Sequence, residues 1–396
     1  MDKKFVIVGV GNCGSQIANL AVSKYPELFE SICINSSESD LAMVTAVNDE
    51  LKFKVGNRNE IEGAGKNRSK MKEYLQADIR GILNNQNLRD LIASQKYCFV
   101  AASTAGGTGS GAAPVLFDVL RQMFPDTYFI LIGVLPKMNV SIMEQENTIE
   151  FLNELYQTLG ADNTTYMLYD NESAANLPPT TALTTVNENI VEDLRILTGV
   201  DNYPTPYESI DEGDFEQLMT TPGRLLITRV KSGLTVKNLE RDIDEGENTK
   251  IDDIVIKAIK NSSNVETDRN EEIAYMGVIT YFTDEVNNLY NTNFTKLQNF
   301  IGHISQTFNH NAINNQSEDL NFLYLVASGL APINDRVKRI TEKIDKMKAE
   351  REKANANKYI LAGDDSYSTD NDRKNGNQVD KNNPVNPEDI FKKFMK

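Results

Sequence analysis

Histidine is nearly missing from this chain of 396 residues: His303 and His310 are the only two. That leaves little material for a histidine-based zinc centre or a Ser-His-Asp triad. Both lie in the apolar-periodic stretch FTKLQNFIGHISQTFNH, where ordinary surface or core roles are expected. Cysteine is scarce too. Cys13, Cys33 and Cys98 are odd in number, fall in the first quarter of the chain and form no CxxC pair, which points to a reduced, cytoplasmic protein. No run of about 18 apolar residues occurs, so no membrane-spanning helix is expected. The start, MDKKFVIVGVGNCG, runs from lysines into Gly9, Gly11 and Gly14 with no small-residue cleavage site, and reads as a buried first strand rather than a signal peptide. Positive charge is in the minority. A net charge of −16 argues against broad, direct binding of nucleic acid, while leaving contact through a local basic patch or an adaptor.

What is present is an alternation. FVIVGV, SICINSS, YCFVAAS, TYFILIGVL and TTYMLYDN read as short buried strands, and helical patterns of ten to fifteen residues separate most of them. This predicts an α/β domain with a parallel sheet covered on both faces, whose ligands bind at the carboxyl ends of the strands. A helix follows at TTALTTVNENIVEDLRILTGV, and the region after Pro222 mixes strand and helix patterns into a smaller α+β unit. Ile333, Val337, Ile340, Ile344 and Met347 recur at three- and four-residue steps, predicting one long helix. From Asp364 to Pro387 there is almost nothing to bury, so disorder is expected. Apolar character returns at Ile390, Phe391, Phe394 and Met395.

Two glycine-rich loops carry the chemistry. In CFVAASTAGGTGSGAAPVL, Gly106, Gly107, Gly109 and Gly111 let backbone N–H groups converge at a helix N-terminus, with Thr108 and Ser110 as hydroxyl donors; this is a phosphate cradle. GVGNCG, from Gly9 to Gly14, satisfies G-x-G-x-x-G and raises the rival reading of a dinucleotide-binding oxidoreductase. That rival wants an acid at the end of the second strand, where this chain has Asn35 and Ser36. Two cradles on one sheet suit a nucleoside di- or triphosphate better. The P-loop lysine pattern GxxxxGK[ST] is absent, and GAGKNR is no substitute.

GGTGSG resembles the signature of the tubulin/FtsZ superfamily of polymerising GTPases, and GNCGSQ (Gly11, Asn12, Cys13, Gly14, Gln16) is similar to that family's first phosphate loop. The resemblance covers roughly residues 4 to 335 and is weaker after Pro222. It implies GTP or GDP as ligand with Mg²⁺, Asn35 in the second loop, and Gly63, Ala64, Gly65 and Lys66 in the third, near the γ-phosphate. Ser37 replaces an acidic residue common in the second loop, so the metal's protein ligands stay unknown. Ala105 stands where the family has a further glycine, which a φ below zero tolerates. Pro136 joins the implied nucleotide-contacting set. Glu144 and Asn147 match the ribose segment, although Glu144 also fits a solvated acidic helix face. Asn171 and Asn187 match the guanine-reading asparagines, with Asn189 a competitor for the second role; an amide offers both donor and acceptor to the guanine edge.

Asp211 and Asp214 in IDEGDFEQLM read from spacing alone as helix capping. By the resemblance they are the acids that act on the nucleotide of the next subunit in a filament. The implied organisation is a GTP-binding domain over 1–180, a connecting helix over 181–202, a second domain over 203–332, a long helix over 333–357 and a tail over 358–396. The extended C-terminal helix looks most like the partition tubulins of plasmids and phages. That implies a homopolymer segregating or positioning DNA through an adaptor protein, with no direct DNA binding by the core and no membrane. An FtsZ-like division GTPase is the alternative. The terminal EDIFKKFMK is read either as the adaptor-docking peptide or as a helix folding back onto its own filament.

Overall fold

The computed structural model describes residues 5–56, 62–198, 203, 205, 209–240, 250–265, 272–289, 295–358 and 387–394. Strands β1 (Phe5–Val10), β2 (Phe29–Asn35), β3 (Lys52–Lys54), β4 (Tyr97–Ser103), β5 (Tyr128–Leu135) and β6 (Thr165–Asp170) stand parallel in the order β3-β2-β1-β4-β5-β6. All six residues of β1 and of β6 are buried. Covered on both faces, such strands show as continuous apolar runs, which is why the sequence exposed them.

The helices of this half are α1 (Gly11–Lys24), α2 (Glu38–Ala42), α3 (Arg68–Leu83), α4 (Gln86–Ala93), α5 (Thr108–Met123), α6 (Ile142–Asn153) and α7 (Pro179–Thr198). One face of the sheet packs Met71, Leu75 and Ile79 of α3, Val115, Leu116 and Val119 of α5 and Phe151 of α6. The opposite face packs Ile17 and Ala21 of α1 against Val186, Ile190 and Leu194 of α7. α6 widens at its end into a π-helical turn over Glu154–Gly160.

The second half contributes α8 (Glu212–Thr220), β7 (Gly223–Val230), α9 (Val236–Glu240), α10 (Lys250–Lys260), β8 (Glu272–Phe282), α11 (Asp284–Leu289), α12 (Thr295–Ile301), β9 (His303–Ile313) and β10 (Phe322–Leu330). Its strands extend the same sheet. β7 pairs parallel to β6 through Thr165 with Gly223 and Tyr166 with Arg224, and the order continues β7-β10-β8-β9. A third apolar cluster, including Val255, Val278 and Leu325, fills this half. α13 (Asn334–Lys358) returns to the first half and lies on α6, with Ile333, Ile340 and Ile344 buried, as the three- and four-residue steps predict.

Some features differ from the sequence reading. β3 and α4 are additional elements, both short. KLQNFIGHISQTF is not one periodic unit: it breaks at Gly302, whose φ of 115° ends α12 and starts β9. His303 is exposed, and buried His310 donates through Nε2 to the Tyr203 carbonyl at 2.6 Å, a structural role. Of the stretch expected to be disordered, residues 364–386 lie outside the described residues, as does Met395. Among the described residues no helix is long and apolar enough to cross a membrane.

Candidate functional site: a nucleotide cradle at the carboxyl ends of the strands

In this strand order the crossovers from β1 and β4 leave in opposite directions, opening a crevice between the carboxyl ends of the two strands. Both glycine-rich loops fall there. Gly11 ends β1 with φ of 70°, and a Cβ on it would stand 2.8 Å from the Gly109 nitrogen, so the loops touch backbone to backbone. A Cβ at Gly14 would meet the Ala101 carbonyl at 2.0 Å, which seats α1 on β4. Gly107 lies against the third loop, where a Cβ would be 2.8 Å from Lys66 Cα, and Gly111 lies against the Arg68 carbonyl. Gly106, Gly63 and Gly65 face open space. The loops are pressed together at their base and open at their rim, as close approach of a phosphate requires.

Ala105 is not among the positive-φ residues, so the missing glycine there costs nothing. Lys66, at φ of 61°, is the single non-glycine described residue in the left-handed region. Its ammonium pairs with Glu144 at 3.0 Å. Burial opposes the charge of Glu144, but hydrogen bonds from Ser141 and Lys66 hold its carboxyl below the usual range. Glu144 also closes a capping box with Ser141, so it is neither a free acid nor a merely solvated helix face.

Several side chains expected to meet a ligand are engaged within the protein. Asn147 is buried, and its Nδ2 donates to the carbonyls of Lys66 at 2.9 Å, Ala105 at 3.0 Å and Gly106 at 3.4 Å. It clamps the third loop to the glycine-rich loop at Ala105 and Gly106. Ser110 donates within its own turn to the Gly106 carbonyl, and Thr108 shares a 2.7 Å hydrogen bond with Ser36. Asn35 accepts from the Ser36 N–H at 2.8 Å and donates to Asp40 at 3.2 Å, which shapes the second loop. The Pro136 carbonyl accepts from Arg336 at 2.8 Å. Desolvation pushes the half-buried Cys13 thiol up to about 12, so it stays neutral; it packs against the apolar cluster between α1 and α7, while Asn12 is exposed and Gln16 half-buried.

At the end of β6 the buried Oδ1 of Asn171 has no hydrogen-bond partner. Leaving such an acceptor dry costs about 1–3 kcal/mol, and a ring N–H of a purine such as guanine would relieve it. Asn189 is committed to Ser263 at 2.7 Å and to Arg229 at 2.7 Å, while Asn187, two residues earlier on α7, is half-buried. A guanine nucleotide therefore fits the residues present. Among the described residues no three His, Cys, Asp or Glu side chains gather as a metal site.

Residues 4–177 match the sequence profile described as Tubulin/FtsZ family, GTPase domain. This stretch belongs to the tubulin/FtsZ family. The whole chain aligns with the tubulin-like protein TubZ of Clostridium botulinum C phage, 24% identical over 406 residues and covering 100% of both chains. It is 24% identical over 283 residues to the tubulin-like protein CetZ of Pyrococcus horikoshii, spanning 69% of this chain and 71% of that one. Among solved structures, a GTPγS-form protofilament of Bacillus thuringiensis serovar israelensis TubZ superposes with a TM-score of 0.71 at 15% identity, covering 90% of this chain and 94% of that one. The fold is thus tubulin-like through both halves.

The two acids of this tubulin-like chain's α8 stand elsewhere. Asp211 accepts from the Asp214 N–H at 2.9 Å and Asp214 accepts from the Asp211 N–H at 3.3 Å, so the capping predicted from spacing is present. Asp211 is exposed and Asp214 half-buried. α8 is anchored beneath the amino ends of the strands: Lys96 pairs with Glu212 at 3.2 Å and Glu216 at 2.9 Å, Phe215 packs on Tyr97, and Tyr128 donates to Glu216 at 2.8 Å. Tyr97 begins β4 and the phosphate loop follows its end, which puts the length of the strand, about 20 Å, between α8 and the cradle.

Sequence reasoning passed over two arginines at this site. Arg68, just past Lys66, is buried and donates to the Asn147 carbonyl at 3.2 Å. Arg336 of α13 is buried against Asp170 at 2.6 Å, next to Asn171. Arg68 sits in a quoted loop and was open to notice. Arg336 gives no local signal, because its partner is 166 positions away.

Proposed function

We propose that the chain is a GTP-dependent, filament-forming GTPase whose hydrolytic site is completed where one subunit stacks on the next. The observation that carries this is the separation of cradle and acids to opposite ends of one sheet. Asp211 and Asp214 cannot reach the γ-phosphate held in their own chain, but in a head-to-tail stack they lie over the cradle of the preceding subunit. There the carboxylates orient and polarise the attacking water. Gly106, Gly107, Thr108 and Gly109 present N–H groups to the phosphates, and Lys66 adds a positive charge beside them. Magnesium supplies charge neutralisation on the phosphates when bound. Assembly is therefore the trigger of hydrolysis.

For the cellular role we infer segregation or positioning of plasmid or phage DNA through an adaptor protein. The net charge of −16 supports an adaptor over direct contact with DNA, and the relatives just named support a filament. Right-angle light scattering tests the core of this reading. GTP with Mg²⁺, and not ATP, is expected to raise scattering above a critical protein concentration, transiently in the parent and persistently in Asp214→Ala. No rise at any concentration, with GTP binding confirmed, overturns it.

A further inference from the structure

The last helix, α14 (Pro387–Phe394), does not stand away from the protein. It lies in a groove walled by α3, α5 and the π-helical turn Glu154–Gly160. Ile390, Phe391 and Phe394 are buried there in the same apolar cluster as Leu75 and Leu116. Two buried charged groups underneath are fitted to it. Lys72 donates to the Phe394 carbonyl at 2.7 Å, satisfying one of the open carbonyls at a helix C-terminus, and its ammonium sits 5.7 Å from the Phe394 ring. Asp118, 1% exposed in the middle of α5, takes Arg121 of its own helix on Oδ1 at 2.9 Å and Lys393 of α14 on Oδ2 at 3.1 Å. A helix of eight residues has no stability of its own in water, so its shape depends on this groove.

The groove is continuous with the cradle. α3 starts where the third loop ends and α5 starts within the Gly106–Gly111 loop, so the walls holding α14 are the helices that carry the loops. A chain of contacts joins them: Asn147 clamps the carbonyls of Lys66, Ala105 and Gly106; the Asn147 carbonyl takes Arg68; Arg68 pairs with Glu154 at 2.5 Å; and Glu154 pairs at 2.6 Å with Lys72, which grips Phe394.

We propose that α14 is a latch on its own GTPase domain, held in the GDP-bound chain and released when a γ-phosphate enters the cradle. The proposal rests on the reading of the cradle as a guanine-nucleotide site. The γ-phosphate draws the Lys66 ammonium from Glu144, the Lys66 carbonyl shifts in the Asn147 clamp, and the shift reaches Lys72 through Arg68 and Glu154. By reciprocity, a docked α14 weakens the grip on GTP relative to GDP. Release presents the apolar face of α14, with its two lysines, on the subunits carrying GTP. A partner that binds the tail then competes with the groove.

Hydrogen-exchange mass spectrometry on the full chain, kept dilute enough to stay monomeric, tests this without nucleotide, with GDP and with a non-hydrolysable GTP analogue. Nucleotide occupancy is measured on the same samples. We expect the amides of 388–394 to be protected without nucleotide and with GDP, and to exchange at least threefold faster with the analogue. Phe391→Asp is expected to abolish that protection in every state while the core peptides stay protected. Truncation after Lys358 is expected to tighten the analogue relative to GDP by a similar factor. Rapid exchange of 388–394 in all states, matching Phe391→Asp, overturns the docking. Equal protection with GDP and with the analogue, both bound, overturns the coupling. Protection that grows with protein concentration overturns a latch in cis in favour of exchange between copies. If neither nucleotide binds, the cradle reading fails and the coupling with it, while protection in the nucleotide-free chain still decides the docking.

Discussion

The carboxyl and amino ends of the strands form two ends of one sheet that are built on different principles. At the carboxyl end, glycines let three loops close on one another, and contacts within the chain, the Asn147 clamp foremost, fix their shape before any ligand arrives. At the amino end, α8 offers two carboxylates on an outward-facing first turn, capped but covering nothing in their own subunit. One end is finished and the other is half of something. On the reading proposed above, binding belongs to the single chain and turnover to a pair.

The largest test of that contrast is a mixing experiment. Gly107→Val drives a side chain into Lys66 and is expected to abolish nucleotide binding while leaving α8 intact. Asp214→Ala keeps the cradle and the Asp211 cap, loses only the 3.3 Å return bond from the Asp211 N–H, and is expected to lower assembled turnover at least a hundredfold, about 2.7 kcal/mol of barrier. Neither protein should hydrolyse GTP alone, and a mixture should regain turnover measured by phosphate release. A mixture that co-sediments as filaments yet stays inactive would break the comparison.

A smaller effect is expected at Asn171. On the proposed reading Asn171 meets the guanine, and its Oδ1 has no partner within the protein, so Asn171→Ala should weaken guanine-nucleotide binding about tenfold, or 1.4 kcal/mol, with little loss of stability in the nucleotide-free protein. Asn189→Ala is the contrasting variant, because its partners Ser263 and Arg229 lie in the fold: stability falls more than affinity does. Titration with a fluorescent GDP beside denaturant unfolding separates the two.

The smallest effect lies between the ends, on α7. Burial works against the charge of Glu192, but hydrogen bonds from Lys24, Tyr25 and Arg195 outweigh it and hold the carboxyl down at about 2, against an ordinary value of 4.5. A carboxyl depressed in the folded state contributes stability that is full above about pH 4.5 and lost as pH falls toward 2. With solvent screening allowed for, Glu192→Gln should cost about 1 kcal/mol at pH 7 and flatten the acid limb over that window, leaving nucleotide binding unchanged. Urea midpoints from pH 2 to pH 7 measure it.

The carboxyl end was the legible one. Gly11, Gly14, Gly107 and Gly109 are dictated by backbone approach, a local demand that writes itself into residue type, and the buried parallel strands write themselves as apolar runs. The capping by Asp211 was legible for the same local reason. What the sequence concealed is what distant pairing decides. Nothing around Arg336 announces Asp170, nothing in Asn147 separates a clamp from a ribose contact, and EDIFKKFMK read equally well as an adaptor-docking peptide and as a helix folding back onto its own filament. The continuation of the sheet from β6 to β7 rests on two residue pairs and has no signature in either strand.

That continuation has a mechanical meaning. If subunits stack end to end through the cradle and α8, the stacking direction runs along the strands, so a pull on a filament is borne by covalent backbone rather than by the softer seams between strands. The first and second halves, laced by β6 and β7 and spanned by α7, stretch as one girder. Under load such a filament gives way at its joints between subunits, where the nucleotide sits, and not within them.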